Sequence, residues 1–496
     1  MSASAEHYVA CDLGAESGRV ILATLSGGKI QLEEVHRFTN GPVRVLGSLR
    51  WDVLRIFEEL KTGLKVIGAR GIRPVSLSVD SWGVDYVWLR KRGPQLGSPF
   101  HYRDDRTDAV FPEFTARVGR ETIFEETGIQ FMQLNTLYQL AADRGADPGL
   151  IEAADRFLNI GDYFNYLFCG VARAEESLAS TTQVYDPRAR AWSSRLQQAL
   201  GIPQERFPEV VPSATVLGPL LPELVAETGL EGCLVVATCS HDTGAAVAAV
   251  PATPGPRWAY LSSGTWSLLG VELDSPCITP EVLAANFTNE VGAGGRIRFL
   301  KNIVGLWILQ ECRRAWQETG GQPPAYEDLV RIASQAPALR SIINPNAARF
   351  LKPGGMPDKV AAYCRETNQP EPRSTAEIVR CILDSLALLY AASLDEIEQL
   401  TGRTIRTLHI VGGGSRNLLL NQLAADATGR TVLAGPTEAT ALGNALLQAL
   451  AAGRIASIEA LRATVRESFP VVSYDPVISS EMRNARRFFS TLELLS

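Results

Sequence analysis

Apolar residues run from Tyr8 to Leu13, give way to a small polar stretch, and resume at Val20 in HYVACDLGAESGRVILATL. Two β-rich runs around a tip holding Gly14 and Gly18 predict a hairpin. The same pattern returns half a chain later in RWAYLSSGTWSLLGVEL, as an apolar run 258–261, a tip 262–265 and a second apolar run 266–273. Three prolines and a glycine in VPATPGPR mark a junction, so two domains are expected, 1–253 and 254–496. VSLSVDSWGVDYVWL predicts strands on either side of Trp82 and Gly83. Helical spacing marks DYFNYLFCG, ending on Gly170, and SSRLQQALGI, ending on Gly201. AEIVRCILDSLALLYAASLDEIEQLTG reads as a buried helix before Gly402, and TLHIVGGGSRNLLLNQLAADATG as strand, glycine turn and helix. GCLVVATCS followed by TGAAVAAV reads as strand then helix, with Asp242 at the junction. Strands alternate with helices in both halves, which makes the chain α/β. Beyond about residue 455 the tail, with EMRNARRFF, reads as a helix closing the fold.

Composition narrows the chemistry. The 496 residues give room for two or three domains, and 46% hydrophobic with 21% charged residues is ordinary for a globular protein. A net charge of −6 with scattered basic residues leaves no electrostatic footprint for nucleic acid. LALLYAASL, from Leu386, falls short of the ~18 to 20 apolar residues of a membrane span. MSASAEHYVACDLG lacks the basic-then-apolar order of a leader, so the cytoplasm is expected. Eight cysteines without a CxxC argue against a disulfide framework or a zinc site. Buried thiols are expected, with a Cys364–Cys381 pairing left open.

Ser240, His241 and Asp242 are adjacent, whereas a hydrolase triad needs an imidazole between two groups that converge in space. Asp242 is therefore either a helix cap or a proton acceptor. Capping by Thr243 would free it for the second role, and a helix start would keep its carboxylate ionised. No GxxxxGK[ST] pattern occurs, which excludes a P-loop. A dinucleotide fingerprint from Gly412 would need glycine where Asn417 stands and an acid after TVLAGP. Three consecutive glycines at 412–414 still suit the approach of an anion to backbone N–H groups. In GAESGR the small side chains, the Ser17 hydroxyl and the Arg19 cation suit a polyphosphate tail. Asp12 suits either a magnesium ion or a turn-forming role, and Glu16 must point away from phosphate or help hold the cation.

CDLGAESGR, DSWGVDY, YRDDRTD, LNIGDYFNYLFCG, SHDTGAAVAAVP, LSSGTWSLLG, LKNIVGLWILQECRRAW, VGGGSRN and GPTEATALGNAL occur in an order that resembles the FGGY carbohydrate kinases, across about residues 8–450. HRFTNGPVR and LRWDV resemble the branch acting on L-rhamnulose. The resemblance implies a two-domain actin-like, ribonuclease-H-like ATPase fold with a catalytic cleft between the domains. It implies transfer of the ATP γ-phosphoryl group to O1 of L-rhamnulose, with Mg2+ as the ion. Alternatives are a kinase for L-fuculose, a xylulose-type ketose or a polyol, or an actin-like ATPase without a sugar substrate. Asp242 would be the general base, and Gly83, His241, Thr243 and Asn302 would contact sugar. Ala15, Glu16, Ser17, Gly18, Arg19, Thr265, Gln310 and Gly413 would contact ATP, and Asp12 the metal. Asn302 and Gln310 are expected on one helix, ~12 Å apart along its axis. Trp82 and Tyr86 are candidates for an apolar wall facing the sugar methyl group, with core packing expected for at least one. The partners implied are a small ketose and ATP, with no nucleic acid and no membrane.

Overall fold

The computed structural model describes residues 5–91, 93–318 and 325–493. Two compact units divide the chain: Met1–Pro251 with Glu272–Phe299 and Ala439–Ser468, and Ala252–Val271 with Leu300–Glu438 and Phe469–Ser496. The backbone thus returns twice to the first unit after leaving it.

The first unit is built on a six-stranded sheet. Strands β1 (Glu6–Leu13) and β2 (Ser17–Ser26) form the first hairpin, and β3 (Lys29–Thr39) extends it. β4 (Ser76–Ser81) lies parallel to β1, β5 (Thr215–Pro219) is the far edge, and β6 (Leu234–Ala237) runs between β4 and β5. Val9, Cys11 and Leu13 join a core with the helices Val53–Ala69 and Ile160–Cys169, whereas Ala10 and Ile21 pack with Ala441 of the helix Ala439–Ala451. The period-two alternation of β1 thus buries both faces of the sheet, which explains why so few polar residues interrupt it.

Missing side chains set the closest approaches. A Cβ on Gly63 would lie 2.6 Å from Val20 Cβ, so the Val53–Ala69 helix rests on β2 through backbone. On Gly443 it would land on the carbonyl oxygen of Ala245, in the helix Asp242–Ala248. On Gly18 it would strike the Phe38 ring.

The second unit repeats the opening of the first. β7 (Trp258–Ser263) and β8 (Trp266–Leu273) form a hairpin, and Ile297–Val304 is β9, of which the part from Leu300 belongs to this unit. β10 (Thr407–Val411) lies parallel to β7, β11 (Thr431–Ala434) parallel to β10, and β12 (Val472–Tyr474) closes the edge antiparallel. The 27-residue helix Thr375–Thr401 starts with a capping box of Ser374 and Glu377 and ends on Gly402 at φ 67°. Its buried Ile378, Ile382, Leu386 and Leu389 follow the helical repeat read from the sequence. The tail is not a single helix. It forms Ile458–Ser468 in the first unit, then β12 and the helix Ser480–Glu493 in the second, because SFPVVSYDP breaks the helical pattern.

No helix among the described residues is long and apolar enough to cross a membrane. All eight cysteines are free thiols, Cys364 and Cys381 included.

Candidate active site

Three adjacent strands of the first unit end in carboxylates. Asp12 on β1 stands opposite Arg19 on β2 and opposite Asp80 on β4. Ser81 bridges to His241, which sets Asp242 just past β6 at the first turn of the next helix. These are the carboxyl ends of parallel strands, where sites of α/β folds collect. Arg19 is ion-paired with Asp12, so the cation and the metal candidate of the sequence reading hold each other. Glu16 is exposed on the tip beside Ala15, and Ser17 O closes the turn by accepting from Gly14 N at 2.9 Å. Gly18 has a packing reason of its own, the Phe38 ring.

The cap of the Asp242 helix is neither Asp242 nor Thr243 but His241, which makes no side-chain capping bond. Asp242 Oδ1 accepts from Thr243 N at 2.6 Å and Thr243 Oγ1 at 3.3 Å, so both bonds fall on one oxygen and leave Oδ2 open. Burial and, second, the negative charge of Asp12 push its pKa up to about 7. The helix start does not hold the carboxyl in its usual range, because the cost of removing charge from water is the larger effect here. Asp80 is driven well above the usual carboxylate range by complete burial and by Asp12. Its Oδ2 accepts from Asn444 Nδ2 at 2.6 Å, and its Oδ1 has no hydrogen-bond partner. Asn444 in turn accepts from Gln448 at 2.7 Å, so a polar ladder on the helix Ala439–Ala451 supports the carboxylate cluster from below.

Buried groups fix the approach to Asp242. Glu175 accepts from Ser177 N at 3.0 Å and Ser240 N at 2.9 Å, while Ser177 Oγ accepts from His241 N at 3.1 Å. The turn ahead of Asp242 is therefore tied on two successive N–H groups. A Cβ on Gly83 would lie 3.2 Å from Thr181 Oγ1 and 3.3 Å from His241 Nε2, so glycine keeps the space beside the imidazole open. Val84 follows at φ 68°, a strained conformation for a β-branched residue, and Thr136 Oγ1 pins its carbonyl at 2.6 Å. Trp82 and Tyr86 are both packed as core. Trp82 donates to Asp85 at 3.0 Å and lies 4.1 Å from the Trp51 ring centre, and the Tyr86 hydroxyl donates to Asp143 at 2.5 Å.

In the second unit the structure brings Thr265 and Gln310 together, with Gln310 Nε2 donating to Thr265 Oγ1 at 3.2 Å. Gln310 Oε1 is buried without a partner, an acceptor left over for a ligand. Asn302 and Gln310 do not share a helix. Asn302 lies on β9, and the helix Trp307–Glu318 begins only after a turn in which Leu306 N donates to Gly264 O at 3.1 Å. The β-branched run through Ile303 and Val304 extends the strand, and Gly305 has to be glycine because a Cβ there would sit 2.5 Å from Ser267 Oγ. The three glycines after β10 differ in purpose. Gly412 adopts φ 84°, Gly414 lets Ser263 approach, and a Cβ on Gly413 would meet nothing within 4 Å. Only Gly413 faces open space, as a backbone cradle for an anion would require.

Sequence reasoning did not single out Asp80, Glu175, Arg298 or Asn444. Asp80 had a usable signal, an acid closing an apolar run as Asp12 does; the others are known only from contacts distant in sequence.

Two family models cover most of the chain: the N-terminal domain of the FGGY family of carbohydrate kinases matches residues 7–249, and its C-terminal domain matches 259–452. Rhamnulokinase of Pectobacterium atrosepticum is 44% identical over 489 residues, 98% of this chain and 96% of that protein. Rhamnulokinase of Bacteroides thetaiotaomicron is 42% identical over 471 residues, 95% of this chain and 96% of its own length. Among solved structures, ligand-bound xylulose kinase from Lactobacillus acidophilus superposes with a TM-score of 0.82 at 15% identity, covering 99% of this chain and 97% of that one. Plasmodium falciparum glycerol kinase with ADP gives 0.78 at 15% identity, covering 99% and 98%. At that identity the likeness concerns the fold alone, the two-domain actin-like, ribonuclease-H-like ATPase fold.

Proposed function

Because this chain belongs to the FGGY family of carbohydrate kinases, we propose that it transfers the γ-phosphoryl group of ATP to O1 of L-rhamnulose, giving L-rhamnulose 1-phosphate and ADP in the cytoplasm. The reaction class is supported above all by Asp242, a carboxyl brought to about 7 whose two hydrogen bonds fall on Oδ1, so that Oδ2 can take a hydroxyl proton near neutral pH. The sugar is supported by full-length similarity to rhamnulokinases, 38–44% identical across the relatives compared.

Asp242 Oδ2 accepts the proton of the O1 hydroxyl as O1 bonds to phosphorus and the bond to the ADP oxygen breaks. Positioning does most of the work in such transfers. His241, Gly83, Thr243 and Asn302 would orient the ketose. Ala15, Glu16, Ser17, Gly18, Arg19, Thr265, Gln310 and Gly413 would hold ATP. A magnesium ion would take Asp12 as its ligand and, when bound, neutralise phosphate charge; the described residues bring together no group of three side chains able to hold a metal, so the ion would rest on one or two carboxylates and the phosphates themselves. A panel of ketoses assayed with ATP tests the reading: L-rhamnulose should give the highest kcat/KM. Faster turnover of L-fuculose or xylulose, or ATP hydrolysis indifferent to sugar, would overturn it.

A further inference from the structure

His241 rests on a fully buried arginine. Arg298 Nη2 lies 3.0 Å from His241 Nδ1 and 3.0 Å from Glu290 Oε2, and also donates to Val291 O at 3.2 Å. A guanidinium has donors and no acceptor, so Nδ1 must be the accepting nitrogen and the ring proton sits on Nε2. Glu290 Oε2 lies 3.5 Å from Nδ1, too far for a good hydrogen bond, and forms an ion pair with Arg298 Nη2 at 3.0 Å. Nε2 is the ring atom that faces Asp242 Oδ1, at 3.5 Å, and the space kept open by Gly83.

We propose that Arg298 is a positioning residue for the reaction, holding His241 as its neutral Nε2–H tautomer so that the imidazole presents a donor to the sugar oxygens beside Asp242. This rests on the reading of Asp242 as the base. The opposite tautomer would aim a lone pair at the same oxygens and compete with Asp242 for the proton. A doubly protonated ring would stabilise the Asp242 carboxylate and make it a weaker base. Arg298 opposes both; burial first, and the Arg298 charge second, keep His241 well below its usual range. Glu290 offsets the guanidinium charge. Gly292 makes room for its stem, since a Cβ there would lie 3.0 Å from Arg298 Cγ.

Nitrogen NMR of the histidine-labelled full chain reads the tautomer directly, and with five histidines the ring of His241 is assigned by its loss in His241→Gln. The expected spectrum has an unprotonated Nδ1 and a protonated Nε2 from pH 5.5 to 8. A protonated Nδ1 in the native protein overturns the proposal. In Arg298→Met the ring should begin to titrate in that range with Glu290 as its partner, and kcat should fall by about 10- to 100-fold with KM for ATP retained. Arg298→Lys, which keeps a charged donor and serves if the methionine variant does not fold, should retain the tautomer and recover kcat to within about tenfold of native. Native turnover with the tautomer lost, or lost turnover with the tautomer intact, overturns the proposal. The two readings fail separately: Asp242→Asn with near-native turnover would remove the base while leaving the His241 spectrum as expected.

Discussion

The two hairpins share a geometry and differ in chemistry. One register place in from the end of the first, Asp12 stands opposite Arg19 and beside Asp80 on the parallel neighbour. At the matching place in the second, Ser262 stands opposite Leu268 and beside Val411. The first unit therefore gathers charge where strands end, and the second gathers glycines, hydroxyls and an amide. On the proposed function, one backbone plan would serve proton transfer in one copy and backbone recognition of an anion in the other, since function lives in sites grafted on folds.

The largest effect should come from removing the charge chemistry on the first side. Asp242→Asn keeps shape and loses proton acceptance, so turnover should fall by roughly 10² to 10⁴ with ATP affinity retained by calorimetry. Near-native turnover would erase the distinction between the units. Acid should then imitate that substitution reversibly. A base acts when deprotonated, and burial with Asp12 raises Asp242 to about 7. In the native enzyme kcat/KM should thus drop toward tenfold per pH unit below about 6 and level off above about 8. A flat profile between pH 5 and 8 would speak against Asp242 as the titrating group.

Neutral substitutions probe the second side. Gly413→Val puts a branched side chain into open space, so the fold should hold while ATP binding weakens by about tenfold or more and sugar binding is spared. Equal loss of both ligands would contradict a nucleotide cradle. Smaller still are packing effects: Gly414→Ala meets Ser263 and Gly18→Ala meets Phe38, and each should cost about 1 to 3 kcal/mol in denaturant unfolding. Gly413→Ala should cost about 0.5 kcal/mol or less. If all three behave alike, the differing roles given to these glycines are wrong.

Both hairpins, the strand-to-helix placement of Asp242 and the helix ending at Gly402 were legible because each rests on local period and turn residues. The link from Asn302 to Gln310 was misread, since an apolar run such as KNIVGLWIL fits a strand as well as a helix and only the contact of Gly305 with Ser267 settles where one stops. Arg298 was invisible for a similar reason. Arg296 and Arg298 look alike in RIRFLK, yet Arg296 pairs with the exposed Asp274 and Arg298 is fully buried against His241, 57 residues away in sequence. Asp80 meets Asn444 across 364 residues, a pairing no local pattern announces.

The contact between Gly443 and Ala245 has a genetic corollary. The obstacle to a side chain at Gly18 is itself a side chain, so a second mutation that shrinks Phe38 should suppress the defect of Gly18→Ala. At Gly443 the obstacle is a carbonyl oxygen in the helix that begins with Asp242, and every residue type carries one. No substitution at position 245 can remove it. A selection for revertants of Gly443→Ala should return glycine itself, whereas the same selection on Gly18→Ala should return partners at Phe38.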